Sequence, residues 1–376
     1  MIGYILIWII LFVCSFLELM KDFRSIRYMK LINNSLFLLL TLMAGLRYKV
    51  GADYINYYRF YEIAGKIKYN EIYETSRKEV IDIGYLFLNK IFYNMTAHYY
   101  YFQLIYIIII MILLKIFIEK YYQNYRNSIL FSFYSLYYHR GLFALVRQAL
   151  CLIILLYCYQ FYLEKKERIK SIACVMISSL FHVSSLIALS VFLINIIKKI
   201  IVPIFFISIF LGRALKPVIL ECSKIIGNNY VFIRRLEHYL ISKSGEELLL
   251  SLGFIQKNLF FIIFYYFLVK KNNTTKIVYV YLMGVIFYNL LYFDLNLAER
   301  FSQNLLIVEI VLFPIFISLI KKLNNKKIIF LLFSFYFCSK FLKEINLYLP
   351  DYNGKIYIPY RIFLLESKID GEIYRR

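Results

Sequence analysis

The sequence predicts an all-α, polytopic integral membrane protein. Composition is the first reason: 61% of its 376 residues are hydrophobic and the mean hydropathy is +0.64, whereas soluble domains are about 45–50% apolar. Patterning is the second, because apolar runs of near-spanning length alternate with short Lys and Arg clusters. Loop size is the third, since no segment between those runs is long enough to be an independent soluble domain. The formal charge of +22 follows the clusters, the distribution that sets membrane topology, so nucleic acid is set aside as a partner.

A helical span needs about 20 mostly apolar residues. Runs at 2–20, 31–46, 99–119, 127–138, 142–163, 171–181, 183–197, 200–213, 249–269, 277–293, 303–320 and 328–342 give about twelve transmembrane helices in a single polytopic domain over 1–376. The N-terminal run MIGYILIWIILFVC has no basic n-region and no small-residue cleavage site, so it reads as a first span. The runs 171–181 and 183–197 meet at His182, either as two short spans or as one long tilted helix. Phe and Tyr supply 35 and 38 residues, more than interfacial belts need, so many rings line the interior or a cavity. Cys14, Cys151, Cys158, Cys174, Cys222 and Cys338 lack metal-ligand spacing and read as small core residues. Neither a metal nor a cofactor is expected.

Charge sets the orientation. The clusters at 21–30, 115–126, 164–170, 198–199, 270–276 and 321–327 fall on one side when the spans alternate, and by the positive-inside rule that side is the cytoplasm. Both termini then face out, together with two larger loops, 47–98 and 214–248. Segment 81–95, IDIGYLFLNKIFYNM, is apolar but carries Asp82 and Lys90; a full crossing would invert the alternation after it, so it reads as a re-entrant or interfacial helix.

Unusual polar residues collect on the outer side. GLRYKVGADYINYYRFYE (45–62) is either an interfacial helix with a topology-setting Arg or, since Arg47 and Lys49 are cations where the positive-inside rule disfavours them, part of a site for an anionic ligand. Gly51 permits a tight turn, Asp53 suits a helix N-cap, and Tyr54 and Tyr57 share a face at i and i+3. In HRGLFALVRQALCLII (139–154), Arg140 and Arg147 are two helical turns apart and project from nearly the same face of one helix. Arg147 lies about 9 Å into the apolar run, where a guanidinium faces either an acidic partner or a wet cavity; Gln148 can join either arrangement. In SSLFHVSSL (178–186), His182 is either a hydrogen-bonded packing residue or a proton-exchanging group. In FDLNLAERFSQN (293–304), Glu299 and Arg300 form either a local charge pair at a helix start or part of a site. Arg234, Arg235 and His238 sit on an amphipathic, solvated segment. Guanidiniums grip phosphate bidentately and tyrosines suit sugars, a combination that fits a phosphate-bearing, glycan-bearing lipid.

LRYKVGADYINYYRFYE resembles the RY-x-VG-x-DY-xx-Y signature of the EpsG family of Wzy-like polymerases. The downstream order is similar too: Glu79 before Gly84, the Arg147–Gln148 pair in a span, His182 followed by Ser184 and Ser185, and a late Arg300. Departures are Ala52 in the VG-x-D run, Ala144 three positions before Arg147, and Val183 where Pro is commoner after the histidine.

The resemblance implies a GT-C-like membrane glycosyltransferase of the bacterial cytoplasmic membrane, with an extracytoplasmic active face. It would join undecaprenyl-pyrophosphate-linked oligosaccharide repeat units into exopolysaccharide, capsule or O-antigen, alongside flippase and chain-length partners. Arg47, Arg140, Arg147 and Arg300 are then expected on the diphosphate, and Tyr54, Tyr57 and Gln148 on sugar. His182 is the first candidate base, with Glu299 and Asp53 as alternatives. Three other readings stand beside this one: a glycosyltransferase using a polyprenyl-phosphate sugar, a flippase or transporter of lipid-linked oligosaccharide, and a non-enzymatic assembly subunit.

Overall fold

The computed structural model describes residues 1–20, 27–96, 98–226, 251–271, 276–349 and 354–363. Arg234, Arg235 and His238 lie outside them. Among the described residues the regular structure is helical apart from a two-stranded antiparallel hairpin, β1 (Tyr348–Leu349) with β2 (Gly354–Lys355). The helices are α1 (Ile2–Met20), α2 (Arg27–Gly45), α3 (Tyr54–Lys66), α4 (Ile72–Glu79), α5 (Ile83–Met95), α6 (Tyr99–Tyr121), α7 (Arg126–Phe133) and α8 (Val146–Leu163). There follow α9 (Arg168–Phe181), α10 (Ile194–Ile197), α11 (Ile201–Ile226), α12 (Leu252–Phe264), α13 (Val278–Leu290), α14 (Leu295–Leu306), α15 (Glu309–Ser318) and α16 (Leu323–Ile345).

Among the described residues, the apolar runs read from the sequence fall mostly on helix, but not every run forms a full-length one. Among the described residues, Ile2–Met20, Tyr99–Tyr121, Val146–Leu163 and Leu252–Lys271 are each long and apolar enough to cross a membrane. Run 303–320 is not one straight helix: α14 and α15 meet at a bend of 55°. Residues 214–226, expected in the second outer loop, continue α11. The run around His182 is not one long helix either. α9 stops at Phe181, His182 is extended (φ −159°, ψ 110°), and a 3-10 helix occupies Val183–Leu193.

The chain packs as two compact units, Met1–Ser76 with Ile83–Ile153 and Phe313–Arg376, and Arg77–Asp82 with Ile154–Leu312. In the first unit, hydrogen bonds tie helix ends together at two places. At one end the buried Glu18 carboxylate accepts from the Asn127 and Ser128 backbone N–H groups at 3.0 and 2.8 Å, and from the Ser128 hydroxyl and Asn127 amide. It thereby satisfies donors that the first turn of α7 leaves open. Tyr125 donates to the Ser318 hydroxyl and Lys326 to the Leu19 carbonyl at this same end. At the other end the C-terminal segment straps the first signature motif: the backbone N–H groups of Tyr48 and Gly51 donate to Arg361 and Ile356, and that of Phe363 donates to Leu46.

α5 has 13 residues, about 20 Å at 1.5 Å per residue, short of the roughly 30 Å hydrocarbon core. It packs on α3, where a Cβ on Gly65 would lie 2.3 Å from the Tyr93 ring. Its buried Lys90 donates to the Gly65 carbonyl at 3.3 Å, near the last turn of α3, where a cation suits the helix dipole. The aromatic excess packs inside: Tyr61, Tyr85 and Tyr106 cluster about Phe102, and Tyr134, Tyr138, Phe143 and Phe341 about the buried His139.

Candidate functional site

The first signature motif folds as a turn from α2 to α3. Gly51 has φ +109°, a conformation that favours glycine. A Cβ there would lie 2.0 Å from the Phe143 carbonyl oxygen. This close approach brings the RYKVGAD turn against the HRGLFALVRQ segment, so the first two sequence constellations adjoin.

Arg47 is fully buried. Its guanidinium donates to Ala44 O at 2.6 Å and Val50 O at 3.2 Å, and lies 5.2 Å from the Phe143 ring centre. It occupies carbonyls at the C-terminus of α2, where a cation is favoured. Gln103 completes the anchorage by donating to the carbonyls of Gly45 and Arg47. Lys49 is exposed instead, its ammonium 4.9 Å from the Tyr48 ring centre.

Asp53 stands at the N-cap of α3, yet its side chain makes no capping hydrogen bond; it accepts from the Asn56 amide at 3.4 Å. Tyr54 is buried and meets Tyr48 and Tyr99 edge-on. Tyr57, one turn further along the helix, is buried beside Tyr85.

Arg147 is not deep within a straight helix. Arg140–Ala144 form a π-helical turn, Leu145 breaks the run (φ −110°, ψ 51°), and α8 begins at Val146. Arg140 and Arg147 therefore do not share one α-helical face, which corrects the expectation drawn from their spacing. Arg147 and Gln148 instead occupy the first turn of α8, the end of the helix where the dipole favours anions. The half-buried Arg147 guanidinium lies 5.8, 5.4 and 5.7 Å from the ring centres of Tyr57, Phe60 and Tyr85. Such packing holds a charged group where desolvation strengthens its attraction to the rings. Burial raises the Tyr57 hydroxyl to about 12; the Arg147 charge and hydrogen bond pull it down and the Asp53 charge pushes it up. Tyr57 stays a neutral hydroxyl through the physiological range. Gln148 is buried, and Arg140 is half-buried within electrostatic reach of Tyr357.

The second unit brings the other two constellations together. His182 ends α9, its backbone N–H donating to Ser178 and its carbonyl accepting from Ser185. Its Nδ1 lies 3.8 Å from the Asp82 carboxylate. α14 packs on the 3-10 helix: the buried Asn304 amide donates to the Ser184 carbonyl and hydroxyl at 3.2 and 3.0 Å, and also to Arg300 O. Arg300, one turn before Asn304, lies on the same side of α14. Asp294 caps this helix, accepting from Leu297 N–H at 2.9 Å. Glu299 and Arg300 are thus in the second turn of the helix, both half-buried.

A family model described as the EpsG family matches residues 30–362. The chain belongs to the EpsG family. The match covers every motif above, from the RYKVGAD turn to Arg300. EpsG membership connects the chain with polysaccharide polymerisation in a membrane setting. No curated protein and no solved structure matches this EpsG chain.

Sequence reasoning did not single out Phe60 and Tyr85, Gln103, Asn304 or the partnership of Asp82 with His182. Phe60 and Tyr85 look like ordinary apolar helix positions. Asp82 did carry a signal, a carboxylate in an apolar segment, which needs a partner once buried.

Proposed function

We propose that this chain is a polymerase that joins undecaprenyl-pyrophosphate-linked oligosaccharide repeat units outside the cytoplasmic membrane. The observation that carries the reading is Arg147, a guanidinium held over three rings in the first turn of α8 with Gln148 beside it. Breaking an anomeric bond to a diphosphate builds negative charge on the leaving oxygen. A fixed cation lowers that barrier because it needs no reorganisation when the charge forms.

Arg147 is assigned to the diphosphate, together with Arg140 of the same unit; Arg300 is a phosphate-binding candidate of the second unit. Arg47, whose Nε and Nη1 donate to the carbonyls of Val50 and Ala44, serves the site by fixing the turn that carries Asp53 and the tyrosines. Tyr54, Tyr57 and Gln148 shape the sugar cleft. His182 takes the proton of the attacking sugar hydroxyl, a role for which imidazole has the right intrinsic basicity.

The test is purified protein in lipid nanodiscs with synthetic lipid-linked repeat unit as sole substrate. A ladder of products spaced by whole repeat units supports the polymerase. Addition of one monosaccharide from a polyprenyl-phosphate sugar would replace it with the glycosyltransferase reading, and lipid translocation without any ladder with the flippase reading.

A further inference from the structure

We infer that Asp82 is a positioning residue that holds His182 in the tautomer and orientation required of a base. The inference rests on the reading of His182 as the proton acceptor and goes beyond it by naming the group through which that histidine is held.

The geometry is specific. Asp82 belongs with His182 to the second unit, in the Arg77–Asp82 segment. Its carboxylate is 6% exposed and lies 3.8 Å from Nδ1 of an imidazole that is itself 15% exposed. That separation is within ion-pair range and longer than a hydrogen bond, the looseness common in sites that tighten around substrate. A buried carboxylate is costly without a partner, and an imidazole N–H is a suitable one.

The backbone is constrained on both sides of the pair. Val80, two residues before Asp82, has φ +58°. A β-branched residue rarely adopts that conformation, and it persists only where the surroundings enforce it. Val80 and Ile81 form the short link between α4 and the Asp82 that precedes α5. On the other side, both backbone polar groups of His182 are bonded, to Ser178 and Ser185. The ring therefore leaves the chain in a set direction.

A carboxylate facing Nδ1 keeps the proton on that nitrogen and leaves Nε2 with its lone pair. The acceptor sugar hydroxyl gives its proton to Nε2 as its oxygen attacks the anomeric carbon. The C–O bond to the diphosphate breaks with its electron pair on the leaving oxygen. The imidazolium formed carries a positive charge that Asp82 stabilises, and it returns the excess proton to water. Asp82 touches neither sugar nor diphosphate and is neither protonated nor consumed.

The experiment measures ladder formation from the lipid-linked repeat unit by the full chain in nanodiscs, comparing wild type, Asp82→Asn, Asp82→Glu, His182→Ala and the Asp82→Asn/His182→Ala double variant. Asparagine keeps the shape of aspartate, so folding is preserved, and thermal stability is followed in parallel. The expected result is a loss in kcat of about 10²–10⁴-fold for Asp82→Asn with KM within about twofold. Asp82→Glu should regain part of the rate because it keeps the carboxylate. The double variant should be no slower than His182→Ala, since Asp82 acts through the histidine. Wild-type kcat in Asp82→Asn, or a loss that multiplies in full with that of His182→Ala, overturns the role of Asp82 while leaving His182 as the base. Wild-type kcat in His182→Ala removes the base assignment itself, and the inference with it.

Discussion

Replacing Gly51 with alanine should separate the two signature motifs. The added methyl would lie 2.0 Å from the Phe143 carbonyl oxygen and 2.7 Å from its carbon, both backbone atoms that no rotamer change can move. The φ of +109° adds a second penalty. Such a backbone conformation costs an L-residue about 1–3 kcal/mol, and overpacking a tight contact costs about 1–3 kcal/mol more. The sum, about 2–6 kcal/mol, is met by unfolding of this corner or by a shift of the turn away from Phe143. A shift of about 1 Å is enough to cost roughly 10²-fold in rate if Asp53 and Tyr57 line the acceptor cleft. Gly141→Ala is the internal control: its Cβ would meet only the Ala149 methyl at 3.4 Å, an ordinary contact. Thermal unfolding in detergent and ladder formation in nanodiscs, run on both variants, should show Gly51→Ala impaired in at least one and Gly141→Ala close to wild type. Equal behaviour of the two variants in both assays would refute the reasoning.

Three further outcomes follow from the same contacts. Arg147→Lys keeps the charge but loses the planar fork and its stacking on Tyr57, Phe60 and Tyr85, so polymer should fall sharply at normal protein abundance; full-length polymer from Arg147→Ala would remove the diphosphate role. Asn304→Leu leaves the Ser184 carbonyl and hydroxyl without their buried donor, a loss of about 1–3 kcal/mol, to be read as a lower unfolding temperature. Glu18→Gln weakens the charged cap of α7 by about 1.5–3 kcal/mol; denaturant or thermal melts should show it, while the rate per folded molecule stays near wild type because no proposed site residue touches Glu18.

Several features of the chain were legible without coordinates because they are local. A run such as Tyr99–Tyr121 is helical and apolar whatever surrounds it, and the Lys and Arg clusters between such runs are plain in the sequence itself. The RYKVGAD motif and the Arg147–Gln148 pair could be read as unusual for the same reason. Spacing arguments failed where the helix departed from 3.6 residues per turn. The π turn at Arg140–Ala144 and the break at Leu145 undo the common face of Arg140 and Arg147. The 55° bend after Leu306 likewise interrupts what hydropathy reads as one run. A window of hydropathy values carries no information on backbone hydrogen-bond register, so neither departure leaves a mark in it.

The amino-acid sequence by itself determined the helical class, the likeness to EpsG proteins and the alternation of charged ends, since each depends on residues within a turn or two of one another. Tertiary structure alone decided which of the marked residues meet. Gly51 packs on Phe143, Arg147 on Tyr57 and Tyr85, Asp82 faces His182, and Asn304 reaches Ser184 across 120 positions of sequence. It also turned Arg47 inward, onto the carbonyls of its own turn, and left Lys49 exposed. The physical reason is that a buried charge must find a partner, and which partner it finds is set by how helices pack, a property of their surfaces in three dimensions that no local pattern contains.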